Sequence, residues 1–88
     1  MTNAAATVYG IVVDEGGVPV IGARIAFLAG PAALPDIAAL SDGRGSFTLT
    51  APVPGEYAIH CAADGYAPQT LHVVVRRGRQ EVHFRLSR

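Results

Sequence analysis

What this chain can fold into is set first by how often it is interrupted. Turn-forming clusters stand at residues 14–17 (Asp-Glu-Gly-Gly), 30–35 (Gly-Pro-Ala-Ala-Leu-Pro), 42–45 (Asp-Gly-Arg-Gly), 52–55 (Pro-Val-Pro-Gly), 64–68 (Asp-Gly-Tyr-Ala-Pro) and 76–78 (Arg-Arg-Gly). Most combine Gly, which supplies positive φ, with Asp or Pro, which favour a turn. The runs between them are short and rich in Val, Ile, Phe, Tyr and Thr. That is strand composition at the spacing of a sandwich or barrel. No segment shows an i, i+3, i+4, i+7 apolar stripe between caps. The segment most friendly to a helix, residues 32–40, contains Pro35 and reads as a long loop entering a strand.

Seven strands are predicted, at residues 7–13, 23–28, 37–41, 46–49, 56–62, 70–75 and 81–86. Period-2 alternation assigns their faces. Tyr57, Ile59 and Cys61 point one way, and Glu56, Ala58 and His60 the other. Val82, Phe84 and Leu86 face in, while Glu81, His83 and Arg85 face out. Ala23, Ile25 and Phe27 point inward and Arg24 outward. With Phe47, Leu49, Leu71 and Val73, these make one core shared by two sheets. The last two strands are expected to pair as a hairpin through a two-residue Arg77-Gly78 turn. That register sets Val73 opposite Val82, Leu71 opposite Phe84 and His72 opposite His83. The first strand has two readings. Either Val8 and Val12 face the core around Gly10, or Tyr9, Ile11 and Val13 do; a two-layer sandwich cannot bury both sets. In the first reading the outer face shows Tyr9, Ile11, Val13, His72, Val74 and His83, an apolar patch with polar points.

Eighty-eight residues make one domain, residues 1–88 with a core at 7–86. Half the residues are apolar and 16% charged, too apolar for disorder. The longest uncharged stretches fall well short of a membrane helix. Seven Arg balance seven Asp and Glu, which argues against a nucleic-acid partner. Composition thus excludes a membrane protein, a coiled coil, a disulfide miniprotein and most enzymes large enough to enclose a substrate. Cys61 is the one cysteine and has no internal partner. The start shows neither basic residues nor a long apolar core, so it does not read as a secretory signal. The chain as given reads as cytoplasmic; a module excised from a longer protein would be extracellular or at the cell surface.

The ordered motifs resemble a known family. Val8-Tyr-Gly10-Ile-Val12-Val-Asp14 leads into Gly17-Val-Pro-Val20-Ile-Gly22-Ala23-Arg-Ile25. Ser41-Asp-Gly-Arg-Gly45-Ser-Phe47, Val53-Pro-Gly55-Glu-Tyr57, Ala63-Asp-Gly65-Tyr66 and a closing Val-rich hairpin follow in register. This resembles the carboxypeptidase regulatory-like domain, a transthyretin-like (prealbumin-like) β-sandwich. The resemblance implies an all-β, seven-stranded antiparallel Greek-key β-sandwich of transthyretin-like or immunoglobulin-like build. It also implies a mostly non-catalytic module that serves as a spacer, folding partner or contact surface. In that pattern Gly10 lets another backbone or ring approach the first strand, and Gly45 lets the chain reverse. Tyr57 is a core aromatic whose hydroxyl bonds nearby backbone, and Tyr66 folds over the sandwich end. A neighbouring family of the same architecture hydrolyses hydroxyisourate. Its Tyr-Arg-Gly-Ser C-terminus is missing here, as is the His of its first strand.

Candidate chemistry is sparse. His60 and Cys61 are adjacent on a strand, so their side chains point to opposite faces and cannot share a proton. Cys61 reads as a small buried apolar residue. His72 and His83, if opposed, would lie about 5 Å apart at Cβ and can hold a transition metal, with Glu81 as a third ligand. Asp14, Glu15, Asp42 and Asp64 read as turn-forming side chains rather than a calcium loop. Charge is segregated: residues 1–69 hold two Arg and six acids, and residues 70–88 hold five Arg and one acid. The expected function is a non-catalytic module for protein–protein contact or self-assembly, as a homodimer or in a larger assembly. Its interaction surface is expected at Tyr9, Ile11, Val13, Val74, Arg76, Arg77 and Arg79. No cofactor, nucleic acid or membrane insertion is expected. The alternatives are a carbohydrate-binding or surface-adhesion module, a structural adaptor of a secretion or phage-like spike, and, further off, a transthyretin-like hydrolase.

Overall fold

The computed structural model describes residues 6–31 and 38–88. They form β1 (Ala6–Asp14), β2 (Arg24–Ala29), β3 (Ala39–Leu40), β4 (Ser46–Ala51), β5 (Gly55–Ala62), β6 (Gln69–Val75) and β7 (Gly78–Leu86). The strands make two sheets, a three-stranded one in the order β4-β1-β7 and a four-stranded one in the order β3-β2-β5-β6. All-β architecture, the seven strands and the sandwich therefore match expectation. The expected third strand at 37–41 is shorter, and its start at Ile37 lies outside the described residues.

Two expectations are corrected. β6 and β7 do not pair: β6 lies on β5, and β7 lies on β1 in the other sheet. The Arg76-Arg77 segment is a crossover between sheets rather than a hairpin turn. Val75, just before it, is buried at the sandwich end. The register Val73–Val82, Leu71–Phe84 and His72–His83 does not exist. The β1–β7 ladder is also parallel, from Ala6↔Gly78 to Asp14↔Leu86, whereas the other pairs are antiparallel.

The core sits where the two inner faces meet. Val8, Val12, Phe84 and Leu86 come from the three-stranded sheet, and Ile25, Tyr57, Ile59 and Cys61 from the other; all are essentially solvent-free. The choice of face for β1 is thereby settled, with Val8 and Val12 inward and Tyr9, Ile11 and Val13 outward. Phe27 tilts against Tyr57 at 4.7 Å between ring centroids, and Phe47 against Phe84 at 6.0 Å. Aromatic pairs in such tilted contact add about 0.5–1.5 kcal/mol beyond area burial. The Tyr57 hydroxyl donates to the Val53 carbonyl at 2.5 Å, so the ring is buried with its polar atom satisfied.

Two features of the sequence turn out to be packing requirements. Gly10 lies opposite Val82, and a Cβ there would run into the Val82 carbonyl oxygen. Gly45 combines φ +76° with a close approach to the Val12 carbonyl, from which a side chain is likewise excluded. Cys61 is fully buried, and burial pushes its thiol up to about 11.

Gly10→Ala is expected to destabilise by about 1–3 kcal/mol through overpacking. Gly43→Ala, where a Cβ would meet nothing within 4 Å, is the control. Thermal unfolding by circular dichroism checks this, and equal midpoints for the two variants would refute it. Cys61 is expected to resist a chromogenic disulfide reagent at pH 8 and to react once denaturant is added. Because its folded pKa lies above the unfolded 9.0, the folded state binds the extra proton, and stability should fall as pH climbs from about 9 toward 11. Fast labelling in the native state would refute the burial.

Candidate functional site

The outer face of the three-stranded sheet follows from the pleat. Burial of Val8, Val12, Val82 and Phe84 sends their strand neighbours outward. The register then fixes rows across β4, β1 and β7. Thr50, Thr7 and Arg79 form one row; Thr48, Tyr9 and Glu81 the next; Ser46, Ile11 and His83 the third; Val13 and Arg85 end the face. The result is three columns: hydroxyls on β4, aromatic and aliphatic groups on β1, and charges on β7.

Local contacts order the charged column. The Arg79 guanidinium lies over the Tyr9 ring at 4.5 Å from its centroid, a cation–π contact of about 0.5–1 kcal/mol at an exposed site. Glu81 and His83 meet at 2.9 Å. Arg85 donates to the Glu15 carbonyl at the far end. Ile11 stands at the centre of the face and is 36% exposed.

The other predicted residues disperse. Arg76 and Arg77 are exposed in the crossover ahead of β7. Val74 is on β6, on the outer face of the four-stranded sheet, so it does not join Tyr9, Ile11 and Val13. His72 is there too, opposite Ala58, while His83 is in the other sheet. The opposed histidine pair with Glu81 is therefore not formed. Among the described residues no three His, Cys, Asp or Glu side chains come together as a metal cluster.

A groove of about 570 Å³ opens between Ala29, Gly30 and Pro31 and the β5–β6 pair. Glu56 and His72 line it but share no hydrogen bond, and the hydroxyl of its Tyr57 is turned to Val53. Elsewhere the polar side chains serve the backbone. Asp14 Oδ1 accepts from the Gly16 and Val18 amides, and Asp42 Oδ1 from the Arg44 and Ser46 amides. Those amide bonds, the Ser46 one first, hold the Asp42 carboxyl below its ordinary value. Asp64 instead approaches Arg24, at 3.5 Å. His60 meets Thr70 at 3.1 Å. Ser41 was not singled out by sequence, yet its buried hydroxyl donates to the Val20 carbonyl at 2.6 Å and accepts from the Ala23 amide at 2.8 Å. It joins the β1–β2 connection to the entry of β4. The only signal for it was its place before the Asp42-Gly43 turn.

No helix of the described residues is long and apolar enough to cross a membrane. No curated protein matches the chain significantly. Solved structures share its fold. A hydroxyquinol 1,2-dioxygenase from Pseudomonas putida superposes with TM-score 0.77 at 13% identity, over 99% of this chain and 57% of that one. A type II cohesin–X–dockerin complex from Acetivibrio cellulolyticus gives 0.72 at 15% identity, over 92% of this chain and 56% of that one. The major pilin subunit of Bacillus cereus gives 0.66 at 15% identity, over 90% of this chain and 28% of that one. The chain thus spans little more than half of these proteins at most, and identities this low show the fold alone. The profile of the carboxypeptidase regulatory-like domain matches residues 7–87, nearly the whole sandwich, and the chain belongs to that family.

Proposed function

We propose that the chain is a non-catalytic module for protein–protein contact, engaging its partner through the outer face of the β4-β1-β7 sheet. The observation that carries this is the central column of Tyr9, Ile11 and Val13, bordered by the hydroxyls of β4 on one side and by Arg79, Glu81, His83 and Arg85 of β7 on the other. Aromatic, aliphatic and Arg side chains with few acids are the mixture enriched at contact surfaces. Family membership supports the reading. So do fold neighbours whose names are those of a cohesin–X–dockerin complex and a pilin subunit. A sugar-stacking surface is the weaker reading, because Arg79 already covers the Tyr9 ring. Among the described residues the groove beside Pro31 supplies no nucleophile–base pair, which favours a binding role over hydrolysis.

The partner is another copy of the chain or a protein of a larger assembly. Wild type is expected to exceed its chain mass of 9.1 kDa in light scattering, and Ile11→Glu to return to that mass with an unchanged thermal midpoint. An oligomer whose mass survives Ile11→Glu would overturn the assignment of this face. If wild type runs as a monomer, retention of a source protein by wild type but not by Ile11→Glu is the expected result, and equal retention overturns it.

A further inference from the structure

We infer that the open edge of β7 takes an acidic, extended polypeptide segment as an added strand. This rests on the contact-module reading and names the chemistry of the partner.

The first support is the edge itself. β7 is the last strand of its sheet and pairs with no strand but β1 among the described residues. Its nine residues run without a bulge, and residues 78–86 include no Pro. Native edges are commonly blunted by shortness, bulges, Pro or charged side chains; β7 has only the last, with Arg79 and Arg85 against Glu81. The Val82 carbonyl is turned onto β1 at Gly10. Backbone groups alternate in direction along an extended strand. The N–H and C=O groups of Arg79, Glu81, His83 and Arg85 therefore point to the open side. Ser87, of the same parity, confirms the direction: its carbonyl leaves β1 and accepts from the Ala67 amide at 2.7 Å. That bond closes the far end, so an added strand has residues 79–85 to pair with.

The second support is charge. The residues whose backbone faces the edge include Arg79 and Arg85, with Arg76 and Arg77 ahead and Arg88 behind. The Arg79 head group rests over Tyr9 and that of Arg85 on the Glu15 carbonyl, both on the β1 side, so they act on the edge through their positive field. Glu81 is the one acid of the strand and is engaged by His83. A second copy is a poor occupant of the whole open stretch: the antiparallel register about Val82, the one that pairs all of residues 79–85, sets Arg79 opposite Arg85 twice over, and like charges directly opposed are destabilising. Of the chain's own acids, the Asp14 and Asp42 carboxylates hold their own turns and Asp64 approaches Arg24. The β6 edge makes the contrast, because residues 69–75 hold no Arg, Asp or Glu, and only Arg76 and Arg77 at its end would give a charge preference there. Main-chain bonds would supply affinity on β7, and the arginines would select an acidic strand.

The test uses the full chain and a capped peptide of about seven residues that alternates Glu and Val. A Lys/Val counterpart and a Glu/Val peptide N-methylated at its edge-facing amides are the controls. The Glu peptide is expected to bind, to weaken as salt is raised, and to exceed both controls by about tenfold or more. Hydrogen exchange should slow at the Arg79, Glu81, His83 and Arg85 amides. In the doubly reversed Arg79→Glu/Arg85→Glu protein the Lys peptide should bind better instead, which separates lost recognition from lost folding. Equal binding of the Glu and Lys peptides, unimpaired binding of the N-methylated peptide, protection on β6, or no binding at all would overturn the inference. Failure here with Ile11→Glu still abolishing association removes strand addition and keeps the sheet face. Glu-peptide binding with Ile11→Glu silent does the opposite.

Discussion

The parallel ladder between β1 and β7 is the contact on which the rest of the molecule depends. It joins the first described strand to the last, and it forms only because Gly10 lets the Val82 carbonyl come against the chain. Once it is in place, the pleat decides both faces. Val8, Val12, Val82 and Phe84 meet the aromatic cluster of the other sheet, and Tyr9, Ile11 and Val13 are left outside. Parallel neighbours need a connection that leaves the sheet. The chain meets that need by carrying β6 on the opposite layer and crossing at Arg76-Arg77. The open edge of β7 and the exposed row on β1 thus share one cause.

The expected pairing of β6 with β7 shows where sequence reading stops. Leu71 and Val73 alternate in phase with Val82 and Phe84, and that alternation fits two strands of one sheet. In a sandwich the same alternation arises when two strands face each other across the core. Period-2 patterning reports which side of a strand is buried, not which strand lies beside it. The turn residues could not decide either, since Arg-Gly fits a tight hairpin and Gly78 at φ +91° fits the start of a crossing segment equally well. With that pairing went the two-histidine site and the place of Val74 on the contact face. Inward residues and the Tyr57 hydroxyl bond are legible, because each follows from one strand or one turn; Gly10 is legible as a place of close approach, but its partner Val82, on the last strand, is not. Nor is Ser41. Its role depends on Val20 and Ala23, which the fold brings to it from some twenty positions away.

The polar groups that could do chemistry are mostly committed to holding the backbone. Ser41 ties a buried turn, Asp14 and Asp42 organise their loops, and the Tyr57 hydroxyl closes the segment before β5. Cys61 is sealed in the core with a raised pKa, opposite to what a reactive thiol requires. A domain this small buries only about 60% or so of its unfolded surface, so polar side chains that brace turns leave few for a pocket. The outer face of the β4-β1-β7 sheet is left largely free of that bracing.

Charge segregation along the chain becomes segregation in space. Five of the seven arginines follow residue 70, and the crossover places them in one sheet edge and its two ends rather than in a hairpin shared between layers. Had β6 and β7 paired, those arginines would have bordered a neutral strand, and the basic patch would have been a rim around a covered edge. As the chain actually folds, they border backbone groups that have no strand partner among the described residues. The two halves of a recognition element, main-chain hydrogen bonds for affinity and fixed charge for selection, therefore coincide on β7. On β6 the strand itself carries no Arg, Asp or Glu, and only Arg76 and Arg77 adjoin its end. An edge that is both unpaired and like-charged resists pairing with itself, which is how a small sandwich can keep a long strand exposed without aggregating and still discriminate in favour of a complementary chain.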